Sequence, residues 1–432
     1  MRGWLRQATG GLPRQFWVLW TGTLINRLGS FVVLFLAIYL TGERHFTASK
    51  AGLVIGLYSV GGAVGTTVGG VLADRWGRLP TLRTAQFGAA VLMLTLGFAH
   101  TYPQILTVSF VLGVFSEAVR PAFSAMMVDI VADRDRVRAY SLNYWAINLG
   151  FALAAIGAGL AAKVSYLLLF VVDSGTTLIT AVIGVIFLVE TRPTGTTART
   201  RTQGGMGTVL RDRVFMSYLA VSLGGVIVMM QNTSTLPIAM TADGLSASTY
   251  GWVIAVNGVL IVLGQLFVPK LIGGHDRSRV LAVAAVTMGV GFGLVAFACS
   301  AWFYAVTVVV WTLGEMMQSP SNAAVVAALS PPALRGRYQG LNSLSWSVGG
   351  AVAPVLGGLT QQLLGDATLW IGCFGLCALV AIGHLAAGPA RDRRAAQLAA
   401  ADATTTDPIG SGSALITTGN RQRPPDLAIQ DD

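Results

Sequence analysis

Gly69-Gly70-Val71-Leu72-Ala73-Asp74-Arg75-Trp76-Gly77-Arg78-Leu79-Pro80-Thr81-Leu82 is the stretch on which the reading of this chain turns. It fills a short gap between two long apolar runs, residues 51–73 and 81–99, and runs of that length cross a bilayer as helices. Arginines in a short loop mark the cytoplasmic side, but that rule explains neither the acid nor the glycines. Gly69 and Gly70 lack side chains, so the end of the first helix can press against a neighbour. Asp74 is a fixed negative charge suited to a helix N-terminus or to an arginine. Gly77 permits a turn, and Arg78 offers a bidentate fork.

Composition agrees with a membrane setting. Of 432 residues, 53% are hydrophobic and 11% charged, with a mean hydropathy of +0.65. A soluble domain carries about 25% charged residues, so the chain is expected to be an integral membrane protein in a lipid bilayer. Residues 1–14 are basic and lack the apolar stretch of a signal peptide. The net charge of +10 follows membrane topology and calls for no nucleic acid. Cys299, Cys373 and Cys377 all lie in apolar segments, so neither a disulfide framework nor a metal is expected, and no cofactor.

Twelve apolar segments are expected to be helices: residues 15–41, 51–73, 81–99, 104–130, 139–162, 165–189, 214–240, 247–272, 278–299, 301–329, 338–363 and 366–387. Charge placement tests the count. Of 29 Lys and Arg, Arg27 and Arg120 fall deep inside segments, and Arg44, Lys50 and Lys163 in loops on one side. All the others lie at the termini, in alternate loops or at the segment ends beside those loops, which makes the chain multi-pass in the cell membrane with both termini cytoplasmic. The expected organisation is a cytoplasmic segment 1–14, a six-helix bundle 15–189, a Thr/Arg/Gly-rich linker 190–213, a second bundle 214–387, and a disordered tail 388–432.

The bundles are repeats. A constant offset of 199 residues pairs Arg14 with Arg213, Gly52 with Gly251, Arg78 with Arg277, Pro121 with Pro320, Asn143 with Asn342, and Gly150 with Gly349. With this repeat, the pattern Gly70-x-x-x-Asp74-Arg75-x-Gly77-Arg78 resembles the signature loop between helices 2 and 3 of the major facilitator superfamily. The resemblance covers roughly residues 14–387. It implies an all-α integral membrane fold of twelve helices in two six-helix pseudo-repeats, with a small-molecule substrate between the halves near the midplane.

In that family the loop acid caps helix 11, and the second arginine meets an acid at the cytoplasmic end of helix 4, here Asp129. Gly70, Asp74, Arg75, Gly77, Arg78 and Asp129 would then form either a latch that releases during transport or a permanent brace. In the second half the counterpart of Asp74 is Gly273, so only part of the signature persists there. The family's antiporters carry Gly-x-x-x-Gly-Pro-x-x-Gly-Gly in helix 5. Segment 5 has Gly150 but no such proline, whereas segment 11, with Gly349, Pro354, Gly357 and Gly358, comes closer.

Five charges lie deep in the membrane: Arg27, Glu117, Arg120, Asp173 and Glu315. An unpaired one at mid-membrane costs about 2.5–3.5 kcal/mol, so all are expected to face the interior and to pair. Glu117 and Arg120 are three residues apart, the spacing of an intrahelical ion pair. In the family, helices 1, 4, 7 and 10 line the cavity. That places Asn26, Arg27, Glu117, Arg120 and Glu315 there, with Gln231 and Asn232 of segment 7 and Gln318 of segment 10. Glu117 is read as the carboxylate that loads and releases protons, or else as one member of a structural ion pair. Trp145 and Trp346 could stack on a flat ligand.

The resulting expectation is a secondary transporter and not an enzyme, since the four histidines are scattered and no phosphate-binding loop is present. It exports small drug-like or natural-product molecules against protons, as a monomer. The alternative is an uptake symporter or facilitator of a small organic solute with the same fold.

Overall fold

The computed structural model describes residues 11–191, 206–265, 267–331 and 334–406, and these are helical almost throughout. In chain order the helices are α1 (Arg14–Leu28, resumed as Phe31–Ile38), α2 (Ala48–Arg75), α3 (Arg78–Gly97), α4 (Tyr102–Ile130), α5 (Arg136–Val164) and α6 (Tyr166–Phe187). The second half holds α7 (Arg213–Met229, resumed as Gln231–Ser234 and Leu236–Ala242), α8 (Ala247–Gly264), α9 (Arg277–Leu294), α10 (Ala301–Leu329), α11 (Arg335–Leu364) and α12 (Asp366–Thr406). Among the described residues nine helices are long and apolar enough to cross a membrane; α3, α10 and α11 fill the other three expected segments.

Local chemistry sets the helix ends. Thr47, Asp212, Ser246, Asp276 and Ser300 accept a hydrogen bond from the backbone three residues on and so begin α2, α7, α8, α9 and α10. Gly77, with φ of 127°, makes the tight turn into α3.

Three segments expected to be continuous are broken. In α1 the helix stops at Gly29, where a Cβ would overlap the Thr176 side chain of α6, so the glycine makes room for that side chain. Pro237 and Pro269 each sit in the first turn of a resumed helix, Leu236–Ala242 in α7 and Val268–Ile272 after α8, because neither ring nitrogen can donate to the preceding turn. Residues after Gly264 form a separate short helix, Val268–Ile272. The tail expected to be disordered from residue 388 is helical to Thr406, because its Ala-rich composition extends α12. The rest of the tail, residues 407–432, most of the linker (192–205) and residues 1–10 lie outside the described residues.

Packing repeats as the sequence does. In the first half α2 lies on α4, α3 on α6 and α1 on α5; in the second α8 lies on α10, α9 on α12 and α7 on α11. The halves meet along two seams, α2 with α11 and α5 with α8. Both seams are built from small residues at the end opposite the Asp74 loop. Gly52 faces the Pro354 carbonyl, Gly358 the Ala48 carbonyl and Gly251 the Ala155 carbonyl, each too close for a Cβ. Phe35 and Tyr250 close the same end edge to face, at 5.3 Å. At the loop end, a Cβ on Gly336 or Gly340 of α11 would meet open space. Close backbone approach along the seams is therefore found at the end opposite the loop, where the glycines meet carbonyls of the other half.

Candidate functional site

The Asp74 loop is tied to the first bundle at three points. Arg78 Nε lies 2.7 Å from Asp129 Oδ2 at the end of α4, an ion pair without an aligned N–H, and Thr191 Oγ1 donates to the same oxygen. The Arg78 and Leu79 amides donate to the two carboxylate oxygens of Glu190, at 3.1 and 3.0 Å, so an acid just past α6 caps α3. Arg83 donates to the last carbonyls of α6, those of Gly184 and Val185. Glu190 was readable in sequence only as the start of the linker; nothing there pointed to a cap more than a hundred residues away. Asp74 and Arg75 are exposed at the end of α2, and Gly70 lies over Pro121 of α4.

The first half gathers four charges. At about 1.5 Å per residue, Arg27 on α1 and Glu117 on α4 each lie about 20 Å in from the loop end. Glu117 Oε2 pairs with Arg120 Nε at 2.8 Å, and Arg120 is otherwise largely exposed at 68%. Gly62 of α2 leaves the room that Glu117 occupies: a Cβ there would lie 2.8 Å from its Cγ. Gly150 of α5 does the same for Arg27, at 2.5 Å from its Cβ. Gly150 thus serves the packing of a charged residue. Asp173 of α6 is 3% exposed and accepts from the Val32 amide at 3.0 Å, capping the resumed part of α1. Arg27 feels the charges of Arg120, Glu117 and Asp173 but forms no ion pair with any of them.

In the second half Glu315 of α10 has no cation within ion-pair distance among the described residues. Asn257 of α8 holds it, donating to Glu315 Oε2 at 2.7 Å and to Thr312 Oγ1 at 3.1 Å. Tyr144 of α5, in the other half, hydrogen-bonds Ser319, one turn along α10 from Glu315. Asn257 was not singled out in sequence, although it is an amide in the middle of an apolar segment.

Several residues expected on the cavity are elsewhere. Gln231 is 2% exposed and fully engaged: it donates to the Ala353 carbonyl of α11 and accepts from Thr235 and Ser234. The break in α7 turns it toward α11, where Gly357 makes room for its oxygen. Asn232 and Gln318 are likewise buried, Gln318 against Gly225 of α7. Asn26 lines the cavity but also donates to Thr177 of α6 at 3.0 Å. Trp145 already stacks on Trp20 at 6.5 Å. Gly349 packs on Val226 of α7, and Pro354 and Gly358 belong to the seam with α2.

A cavity of about 480 Å³ opens beside this charge cluster, and every residue lining it belongs to the first half. Arg27, Asn26 and Arg120 form part of its wall, while Tyr140 lies about one turn from the loop end of α5.

Two pseudo-repeated helical bundles, joined by small-residue seams at one end and holding charges at membrane depth, define a membrane transporter. The chain belongs to the Major Facilitator Superfamily, whose pattern matches residues 19–246 and again 229–407. It is 27% identical to an MFS-type transporter of Bacillus subtilis (strain 168), YttB, over 81% of this chain and 88% of that one. The Na(+), Li(+), K(+)/H(+) antiporter of Planococcus maritimus is 23% identical, covering 74% and 83%. The multidrug resistance protein MdtH of Escherichia coli O1:K1 / APEC is 24% identical, covering 82% and 90%. Among solved structures, a POT family transporter in complex with 5-aminolevulinic acid superposes with a TM-score of 0.75 at 14% identity, over 89% of this chain and 98% of that one. A bacterial homologue of the lysosomal transporter Spinster, in an inward-facing and unoccupied conformation, gives 0.68 at 13% identity, over 89% and 97%. At such identities the superpositions show the fold.

Proposed function

We propose that this transporter is a proton-coupled exporter of small organic molecules, working by alternating access with both termini in the cytoplasm. Lys and Arg concentrate on the side of the Asp74 loop, which supports a cytoplasmic loop and an outer end closed by the glycine seams. The conformation then faces inward. Twelve spans follow if α3, α10 and α11 cross the membrane with the nine more apolar helices. Two relatives bear the names of an antiporter and a multidrug resistance protein, which favours export and exchange.

The observation that carries the reading is the ion pair of Glu117 with Arg120, with Arg27 nearby but uncommitted, at membrane depth beside a cavity. Intramembrane ionisable residues mark ion and substrate paths. Glu117 and Arg120 share α4, so the coupling step is a turn of the Arg120 side chain away from Glu117 as the halves rock: that would leave Glu117 free to take a proton, and its return would expel one. The Arg78–Asp129 pair, with Asp74, acts as the latch between these states.

Reconstituted vesicles test this directly. Efflux of substrate should drive proton movement in the opposite direction, and Glu117→Gln should abolish it while substrate still binds. Proton movement in the same direction as substrate would replace export with symport. Unchanged proton movement in the variant would return Glu117 to a structural ion pair. Single cysteines at Thr197 and Thr405 should be labelled only from the cytoplasm and one at Ser246 only from outside; label reaching Thr197 from outside intact cells would overturn the topology.

A further inference from the structure

Of the four membrane-depth charges in the first half, Arg27 is the one left without an ion pair or hydrogen bond among the described residues. Glu117 is taken by Arg120, Asp173 by the amide of Val32, and no hydrogen bond or ion pair reaches the Arg27 side chain from the described residues. It lies on the wall of the 480 Å³ cavity with Arg120. Two further groups on that wall are unsatisfied. Gln86 of α3 and Asn143 of α5 are only 7% and 9% exposed, and Gln86 Oε1 and Asn143 Oδ1 have no partner. A buried polar atom left unpaired destabilises the fold unless an occupant satisfies it.

These groups define a complement. A guanidinium has five N–H donors and no acceptor, so what it lacks is an anion, and a planar one fits its fork best. A carboxamide oxygen lacks a donor. The volume is that of a pocket for a drug-sized molecule. The wall also carries Phe123, Val119 and Ile147, which suit an apolar body.

We infer that this cavity binds an amphipathic organic carboxylate, its acid group on Arg27 with Arg120 beside it, and an N–H or O–H of its body on Gln86 or Asn143. The residues that line this cavity all belong to the first bundle. The inference builds on the transport reading and narrows its substrate to organic anions.

Three dansyl compounds with one fluorophore and different heads test it on the purified full chain: dansylglycine, its neutral amide, and dansylcadaverine with an ammonium. Dansylglycine should bind with blue-shifted emission, at least about tenfold tighter than the other two, the gain expected of one charge-assisted pair. Arg27→Gln should remove that preference, and Arg27→Lys should restore part of it. Gln86→Leu should weaken dansylglycine and its amide alike. Equal binding of all three heads by the wild type would overturn the inference, as would a carboxylate preference that survives Arg27→Gln. The wild-type comparison stands even if a variant does not fold. Binding requires no pH gradient. A protein that binds dansylglycine and moves no protons would keep this inference and sink the coupling; proton-coupled transport without carboxylate preference would do the reverse.

Discussion

The two halves share a backbone plan and differ in chemistry. Where the first has Arg27, Glu117, Arg120 and Asp173, the offset of 199 residues gives the second Val226, Met316, Ser319 and Gly372. What the halves keep in common is close approach: Gly150 of α5 packs on Arg27 of α1 as Gly349 of α11 packs on Val226 of α7. Charge differs. The first half pairs its carboxylates with an arginine and with backbone amides, whereas the second holds Glu315 with the neutral amide of Asn257. Asn257 is itself the counterpart of Tyr58, so even that contact has no copy. Repetition therefore supplies the scaffold, and divergence supplies the site.

Substitutions across this comparison should rank as follows. The largest effect is expected from Glu117→Gln, with loss of proton-driven transport, while Glu315→Gln should keep a measurable part of it. Substrate-dependent proton flux in vesicles decides, and if Glu315→Gln is the variant that abolishes flux, the working carboxylate lies in the second half. Asp74→Asn should come next, slowing transport severely with the protein folded and inserted, while Gly273→Asp at the counterpart position should do far less. Transport at normal rate by Asp74→Asn would reduce the loop to a topological signal.

Packing should respond symmetrically where chemistry does not. Gly150→Val and Gly349→Val each force a side chain into a neighbour, and each should destabilise by about 1–3 kcal/mol, the usual effect of overpacking. Thermal unfolding in detergent measures both, and a tolerated Gly349→Val would break the claim that close approach is the shared feature. Gly372→Ala is the matching control. Nothing lies within 4 Å of its Cβ, so its effect should stay within about 0.5 kcal/mol.

The smallest expected effect on transport is that of Asn257→Ala. It removes one donor from Glu315 and should lower transport by a few-fold, since a typical hydrogen bond contributes about 0.5–1.5 kcal/mol net. An effect as large as that of Glu117→Gln would erase the difference between the halves.

The amino-acid sequence by itself determined the membrane setting, the helical segments, the repeat and the family. Each depends on local properties: apolar run length, charge placement and a constant offset. It also placed Arg78 opposite Asp129, through resemblance, and Glu117 beside Arg120, through helical spacing. Only the tertiary structure decided which polar residues were used up. Gln231 looked like a cavity residue until the break in α7 turned it onto α11, and Glu190 looked like linker until it capped α3. Arg27, by contrast, stays uncommitted beside two unsatisfied amides. The reason is physical. Whether a polar group is satisfied depends on partners brought from distant segments, and local sequence does not encode which segment arrives within 3 Å.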